Sequence, residues 1–179
     1  MAWRDMGWPA YGLPRREDDL EPCLEDATNV EQYRIDVIEV SEPGPVIETR
    51  DLLCRLYGKP DEIGPQSPYL ATYERLRGIA APQSDQAHRH VIGTVEYGYW
   101  PSLNLGYIET VRVRLDMRRK GFGLKLVDFA VDYMRGRKIQ RVYSFAVNIE
   151  GNALLESAGF VPEPPGDSER PWRRWFSTA

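Results

Sequence analysis

The chain has 179 residues, of which 42% are hydrophobic and 28% are charged, and its formal net charge is −4. This is an ordinary globular composition, no apolar run approaches the roughly 20 residues of a membrane span, and no signal-peptide pattern opens the chain, so we expect a cytoplasmic protein without a membrane partner. The negative charge argues against nucleic acid as a partner, because nonspecific binding needs a clustered positive surface.

The first 29 residues have no sustained hydrophobic period, and we expect an N-terminal arm at 1–29 ahead of one domain at 30–179. Trp3, Trp8 and Tyr11 make this arm more apolar than a purely solvated tail. Aromatic side chains are common anchors at interfaces. The arm is therefore expected to form an intersubunit contact, as in a homodimer, or an acceptor-side contact. The alternative is an arm that folds onto its own domain.

The region after the arm is expected to begin with a strand and two helices. Residues 32–40 alternate with the period of two typical of a strand, and residues 46–57 and 68–77 are predicted as helices. Residues 90–99 and 107–115 are predicted as the two strands of a hairpin. The hairpin would form the antiparallel centre of a mixed sheet.

The most informative stretch joins the second hairpin strand to a helix. From residue 123 to residue 135 the hydrophobic period changes from two to that of an amphipathic helix. The residues at this junction are Arg118, Arg119, Lys120, Gly121, Phe122, Gly123 and Leu124.

This junction has the chemistry to bind a pyrophosphate. Backbone N–H groups in the first turn of a helix have no intrahelical partners, and with the helix dipole they attract anions. Gly121 and Gly123 lack the Cβ atoms that would hold a diphosphate away from the backbone, and the three preceding cations add positive charge. The alternative for an isolated Gly-x-Gly is a tight turn with an exposed basic loop. Neither the Walker A pattern nor the dinucleotide fingerprint fits.

A second strand and helix follow the first helix. Residues 141–147 are predicted as a strand, and residues 148–160 as a short helix closed by glycine. Residues 170–176 fit a final strand.

This order of elements contains Val113, the Arg-x-x-Gly-x-Gly pattern from Arg118 to Gly123, Asn148, and Gly159 with Phe160. With these residues the sequence resembles the GNAT superfamily of acyl-CoA-dependent N-acyltransferases, most strongly over residues 91–160. The resemblance implies an α/β fold with a mixed, mainly antiparallel central sheet of about six to seven strands, flanked by helices and with splayed central strands.

The resemblance implies transfer of an acetyl group from acetyl-CoA to a primary amine by direct attack in a ternary complex. The acceptor, a small-molecule amine or a protein amine, is not readable from the sequence. In the family the junction binds the pyrophosphate, the preceding strand offers its backbone to the pantetheine, and the asparagine lies near the pantetheine, although a capping role fits Asn148 equally well. The residues so assigned to CoA are Val111, Arg112, Val113, Arg118, Arg119, Lys120, Gly121, Phe122, Gly123, Leu124 and Asn148.

Two positions depart from the family pattern. Leu155 stands where many members carry a tyrosine that protonates the leaving thiolate, and Gly151 replaces a common alanine. Either water or another side chain protonates the thiolate, or protonation matters little because a thiol with a pKa of about 8.5 is already a tolerable leaving group. Leu155 also keeps open an alternative function, a catalytically degenerate acyl-CoA-binding module.

Glu109 is the candidate catalytic residue. Its parity in the predicted strand places it on the apolar face with Val111 and Val113, and burial makes a carboxylate a stronger base for a protonated amine. Some GNAT enzymes use a glutamate from this strand in that role. The alternative is a structural carboxylate that accepts a hydrogen bond or pairs with an arginine. Glu96 and Tyr143 are weaker candidates.

No metal site is expected. Cys23 and Cys54 have no metal-ligand spacing, and His88 and His90 lie in a polar stretch without further spaced ligands. Both histidines are predicted as solvated loop residues.

Overall fold

The computed structural model describes residues 32–39, 72–146 and 148–162, and for residues 173–178 it describes the backbone. The predicted arm at 1–29 and the predicted helix at 46–57 lie outside these residues. The strands are β1 (Tyr33–Glu39), β2 (Glu74–Pro82), β3 (Gly93–Trp100), β4 (Leu105–Val113), β5 (Arg141–Ala146), β6 (Val161–Pro162) and β7 (Arg173–Thr178), and the helices are α1 (Phe122–Gly136) and α2 (Ile149–Ser157).

The strands form a single seven-stranded sheet in the order β1-β2-β3-β4-β5-β7-β6. Every neighbouring pair is antiparallel except β4 and β5, which are parallel. Parallel neighbours need a crossover connection, and α1 supplies it. The predicted mixed, mainly antiparallel sheet is confirmed, as are the predicted strands and helices from residue 90 to residue 160, with ends shifted by a few residues.

The helix predicted at 68–77 is wrong over its described part. Residues 74–77 open β2, where Arg77 pairs with Ile38 of β1 on one side and with Glu96 of β3 on the other. Strands on both sides satisfy the backbone N–H and C=O groups, so long-range pairing overrides the local helix propensity.

Helix α1 covers one face of the sheet with its apolar stripe. Leu126, Ala130 and Met134 are fully buried, at the spacing that puts side chains on one helical face. Gly106 of β4 allows this close packing, because a Cβ atom there would lie 2.5 Å from Met134 Sδ. Truncating Leu126 to alanine would cost about 2–5 kcal/mol of unfolding free energy. Neither described helix is long and apolar enough to span a membrane.

The opposite face carries an aromatic cluster. Trp100, Tyr107 and Tyr143 are buried together with Leu105, and Tyr73 packs against them with its ring centroid 4.4 Å from that of Trp100. The sheet is therefore packed on both faces where β3 ends and β4 begins, next to the candidate site.

Candidate active site

Strands β4 and β5 separate part-way along their length. Their parallel pairing ends at Ile108 and Ser144, where Ser144 Oγ donates a hydrogen bond of 3.0 Å to the carbonyl oxygen of Ile108. β4 continues to Val113, whereas β5 ends at Ala146 and stays paired with β7. The predicted splay is confirmed, and among the described residues no strand pairs with the β5 side of β4 beyond Ile108. An extended ligand could add its own hydrogen bonds to this free edge.

The glycine-rich junction leads from the end of β4 into α1. Gly121 has φ of 83° and is the N-cap residue, directly before the first helical residue, Phe122. This left-handed backbone favours glycine, and a Cβ atom at Gly121 would meet nothing within 4 Å. Because glycine has no side chain to cap the helix, the N–H groups of the first turn are left for an anion.

The cations of the junction are exposed, and Arg118 contacts the end of β4. Arg118 Nε donates to the carbonyl oxygen of Val113 over 3.1 Å, and Lys120 Nζ lies 3.7 Å from Met117 Sδ. Arg119 adopts a left-handed φ of 59°. These contacts bring the basic loop and the free edge of β4 into one site.

Several side chains predicted to bind CoA serve the hydrophobic core. Val111 and Val113 pack against the core under α1, and Phe122 is 4% exposed and meets the ring of Tyr33 edge-on at 5.4 Å. At these positions a ligand can reach the backbone rather than the side chain. Of the other assigned residues, Arg112 and Leu124 are half-buried.

The second glycine of the junction lies between the two helices. A Cβ atom at Gly123 would stand 3.4 Å from Leu154 Cδ1 of α2, which is an ordinary van der Waals distance. A methyl group at Gly123 would therefore not strain the fold. Its absence keeps the start of α1 open to a close ligand.

Asn148 caps α2. Its Oδ1 accepts a hydrogen bond of 2.7 Å from the backbone N–H of Gly151, so the capping role that the sequence left open is present. A Cβ atom at Gly151 would lie 3.0 Å from this Oδ1 and 3.4 Å from Ala146 Cβ. The glycine that replaces the family alanine thus leaves room for the cap. Leu155 is 4% exposed in the core and offers no proton.

Glu109 occupies a β-bulge. Glu96 of β3 pairs with Thr110, and the next residue of β3, Tyr97, pairs with Ile108, so Glu109 is one extra residue in β4. The bulge falls one residue beyond the last β4–β5 pair. Glu109 is therefore at the point where the gap between the strands opens.

The bulge also reverses the alternation on which the sequence prediction relied. Val111 and Val113 pack under α1, whereas the Glu109 carboxylate lies on the other face with Arg75 of β2. The prediction that Glu109 shares an apolar face with these valines is wrong, because an inserted residue shifts the period of two.

The Glu109 carboxylate is held by two neighbours. Tyr73 Oη donates to Oε1 over 2.7 Å, and Arg75 donates from Nε to Oε2 over 2.9 Å and to Oε1 over 3.1 Å. Arg75 Nη2 lies 2.7 Å from Oε2. The arginine-paired carboxylate that the sequence left as the alternative is thus observed, beside the gap.

A second carboxylate extends this network. Arg75 Nη2 also donates to Glu96 Oε2 over 3.2 Å, and Arg77, which is 2% exposed, pairs with Glu96 Oε1. The four formal charges of Arg75, Arg77, Glu96 and Glu109 cancel. Pairing and hydrogen bonding of this kind offset the desolvation cost of burying the four charges.

Sequence reasoning missed Tyr73 and Arg75 because both fell in the predicted helix at 68–77. A signal for a strand was present, since Arg75, Arg77 and Ile79 alternate with small or apolar residues. The contact with Glu109 depends on strand pairing across the sheet, which local patterns do not encode.

The histidines differ from their prediction as solvated residues. His88 Nε2 lies 2.6 Å from Asp36 Oδ2 of β1, and the backbone N–H of His90 donates to Asp85 Oδ2 over 2.6 Å. Both rings are partly buried. Within the described ranges, no three His, Cys, Asp or Glu side chains come together as metal ligands.

Comparison with known proteins agrees with this fold. The sequence model described as "Acetyltransferase (GNAT) family" matches residues 46–160, which is more than half of the chain. The chain therefore belongs to the GNAT family of acetyltransferases. No match is found among curated proteins.

Solved structures of acetyltransferases share the fold at low sequence identity. An acetyltransferase of Bacillus subtilis in complex with CoA is 18% identical, with a TM-score of 0.51 over 83% of this chain and 99% of that chain. A chain of the NatC complex bound to Gag peptide and CoA is 15% identical, with a TM-score of 0.52 over 83% and 99% of the two chains. At these identities the likeness shows the fold alone.

Proposed function

We propose that this chain is an acyl-CoA-dependent N-acetyltransferase that moves the acetyl group of acetyl-CoA to a primary amine on a small molecule or a protein. The observation that carries the proposal is the gap between β4 and β5. The gap opens at Ile108 of β4 and Ser144 of β5, and β4 also leads into the glycine-rich junction. A helix start that attracts anions and a free strand edge suit the two halves of CoA, a pyrophosphate and an extended pantetheine amide chain.

The donor side of the proposal uses backbone groups more than side chains. The first-turn N–H groups of α1 bind the pyrophosphate, and the exposed Arg119 and Lys120 balance its charge. The backbone from Val111 to Val113 pairs with the pantetheine amides. The thioester then lies at the narrow end of the gap, near Glu109. The two solved structures described above are CoA complexes, which supports CoA as the ligand.

On the acceptor side we propose that Glu109 acts as the general base or orients the amine. It takes a proton from the acceptor ammonium, directly or through a water. The neutral nitrogen attacks the thioester carbonyl carbon and the C–N bond forms. The C–S bond then breaks, the nitrogen gives its second proton to water, and CoA leaves as a thiolate. Because Leu155 offers no proton, the thiolate leaves unprotonated or takes its proton from water. No metal takes part in these steps.

A catalytically degenerate acyl-CoA-binding module is the second candidate. The buried Leu155 favours it, because the usual proton donor is absent. The ion pair between Arg75 and Glu109 also favours the binding module, because a carboxylate paired with an arginine accepts a proton less readily. Such a module would bind CoA tightly and turn over no acceptor.

An acceptor screen separates the two candidates. The chain is incubated with acetyl-CoA and a panel of amino acids, aminoglycoside-like amines, polyamines and peptides, and free thiol is followed while mass spectrometry records acetylated product. We expect thiol release that depends on one acceptor class, with the acetyl group on nitrogen. Binding of CoA without acceptor-dependent thiol release would contradict the enzyme and leave the binding module.

The role of Glu109 has its own test. Glu109→Gln keeps the shape of the side chain and removes the base, so we expect turnover to fall about 10²–10⁴-fold while CoA affinity stays close to that of the wild type. A wild-type turnover and pH profile in this variant would show that the base lies elsewhere.

A further inference from the structure

The side chain of Tyr73 is seated in a fixed position beside the candidate base. Its ring lies directly over Gly98 of β3, where a Cβ atom would stand 2.3 Å from Tyr73 Cζ and 2.4 Å from its Oη. On one side it meets the indole ring of Trp100, with centroids 4.4 Å apart. Because Gly98 has no side chain, the Tyr73 ring can pack against the sheet at this position, and its hydroxyl reaches Glu109.

The hydroxyl is a permanent donor at neutral pH. Burial, followed by the nearby charge of Glu109, raises the pKa of Tyr73 well above its usual value. The phenol therefore stays protonated and donates to Glu109 Oε1 over 2.7 Å.

Arg75 fixes the second oxygen of the same carboxylate. Its Nη2 reaches Glu109 Oε2 at 2.7 Å, and the same nitrogen donates to Glu96 Oε2 at 3.2 Å. Glu96 is in turn held by the buried Arg77. The guanidinium of Arg75 thus has contacts on both sides, and its orientation is set by β3 as well as by β4.

Together these contacts leave a defined opening on Glu109. An ionised carboxylate offers about four lone-pair positions, and Tyr73 and Arg75 occupy most of them. The formal charges of the network cancel, so its surface as a whole does not attract an ammonium group. An acceptor ammonium would instead bind through the remaining lone pair of Glu109. The direction of that lone pair then decides where the acceptor nitrogen binds.

We propose that Tyr73 and Arg75 are positioning residues that orient the Glu109 carboxylate toward the acceptor amine, and that Gly98 leaves the space in which the Tyr73 ring lies. This inference rests on the role proposed above for Glu109. Loss of the Tyr73 hydroxyl or of the Arg75 guanidinium should therefore lower kcat by disturbing Glu109 and leave CoA affinity unchanged.

Tyr73→Phe tests the hydroxyl, because it keeps the ring against Gly98 and Trp100. We expect kcat to fall about tenfold, as for the loss of one hydrogen bond to a charged group, with the KM for acetyl-CoA unchanged.

Tyr99→Phe is the matched control. The Tyr99 hydroxyl also donates to a glutamate, Glu74, and the residue is 2% exposed, but it packs under α1 on the other face of the sheet. We expect its kcat and pH profile to match the wild type. Equal effects of Tyr73→Phe and Tyr99→Phe would overturn the proposal.

Arg75→Lys keeps the charge and removes the two-nitrogen contact with Glu109. Arg34→Lys makes the same change in an arginine outside this network, which pairs with Asp36 of β1. We expect Arg75→Lys to lower kcat about tenfold or more, and Arg34→Lys to leave kcat unchanged. Should Tyr73→Phe fail to fold, this pair alone decides, and equal kcat values for the two variants contradict the proposal.

A double-mutant cycle separates this inference from the function on which it rests. If Tyr73 and Arg75 act through Glu109, then Tyr73→Phe and Arg75→Lys should have no further effect on kcat in the Glu109→Gln background. Full activity of Glu109→Gln alone would contradict the base role. A damaged Glu109→Gln with undamaged Tyr73→Phe and Arg75→Lys would retain that role and overturn the positioning.

Discussion

Ser144 of β5 donates a hydrogen bond of 3.0 Å from Oγ to the carbonyl oxygen of Ile108 of β4, at the last pair of residues before the two strands separate. Ser144 is 6% exposed, so this bond forms inside the protein. It fixes where the gap begins, one residue before the bulge at Glu109. The width of the gap and the position of the candidate base are thus set by neighbouring contacts.

Ser144→Ala should weaken the contact between β4 and β5 where the gap begins. We expect unfolding free energy to fall by about 0.5–1.5 kcal/mol for the lost hydrogen bond, and affinity for acetyl-CoA to weaken because the gap is less well defined. Urea unfolding and calorimetric titration measure the two effects. Ser157→Ala is the control, since Ser157 Oγ donates to Ala153 O within α2, is exposed, and lies away from the gap. Acetyl-CoA affinity equal to wild type in Ser144→Ala would contradict this role.

Leu155→Ala should act through packing alone. Because Leu155 is buried under α1 with Phe160, we expect a loss of about 2–5 kcal/mol in unfolding free energy without change in either limb of the pH–rate profile. Differential scanning calorimetry and a pH series check the two halves of this expectation.

Leu155→Tyr gives a sharper comparison. The larger side chain should overpack the core and leave turnover unimproved. A tenfold or greater rise in turnover at an unchanged KM for acetyl-CoA would show that thiolate protonation limits the wild type, against the present account.

Buried tyrosines should make the fold sensitive to alkali. Burial, followed by the hydrogen bond to Glu74, raises the pKa of Tyr99 to about 12, and burial also raises the pKa of Tyr97. An unfolded tyrosine has a pKa of about 10, so the stability is fully present below pH 10 and is lost as pH rises from about 10 toward 12, where the unfolded chain gives up protons that the folded chain keeps. Urea unfolding across this range should show a falling midpoint, with a smaller slope in Tyr99→Phe. Equal slopes would contradict the assignment.

Local patterns predicted most of the fold from β3 onward. The change from a period of two in β4 to the helical period of α1, with Gly121 at the junction, is local information, and the splay of the central strands came from the family resemblance. The part of the site near Glu109 was not predictable in this way. A single inserted residue in β4 puts Glu109 on the opposite face from Val111 and Val113, and only the pairing of β4 with β3 reveals the insertion.

The partners of Glu109 were hidden for a related reason. Residues 74–77 were predicted as helix, and their strand conformation depends on pairing with β1 and β3, which are distant in the sequence. The packing of the Tyr73 ring over Gly98 depends on the same strand pairing. Contacts between distant segments were thus the missing information, rather than any unusual residue type.

The central claim is that CoA binds where the glycine-rich junction meets the free edge of β4, and Gly123→Ala tests it most directly. The added methyl group would make ordinary contact with Leu154 and improve helix propensity, so the thermal midpoint should be retained or raised. The same methyl group would stand against the bound pyrophosphate. Gly136→Ala is the matched control, at the last residue of α1, where a Cβ atom meets nothing within 4 Å.

Isothermal titration calorimetry with CoA against these two variants and the wild type is the deciding measurement. The account predicts that Gly123→Ala loses about tenfold or more in affinity, through lost backbone hydrogen bonds to a charged group, while Gly136→Ala binds as the wild type does. Wild-type affinity in a folded Gly123→Ala protein would contradict the account.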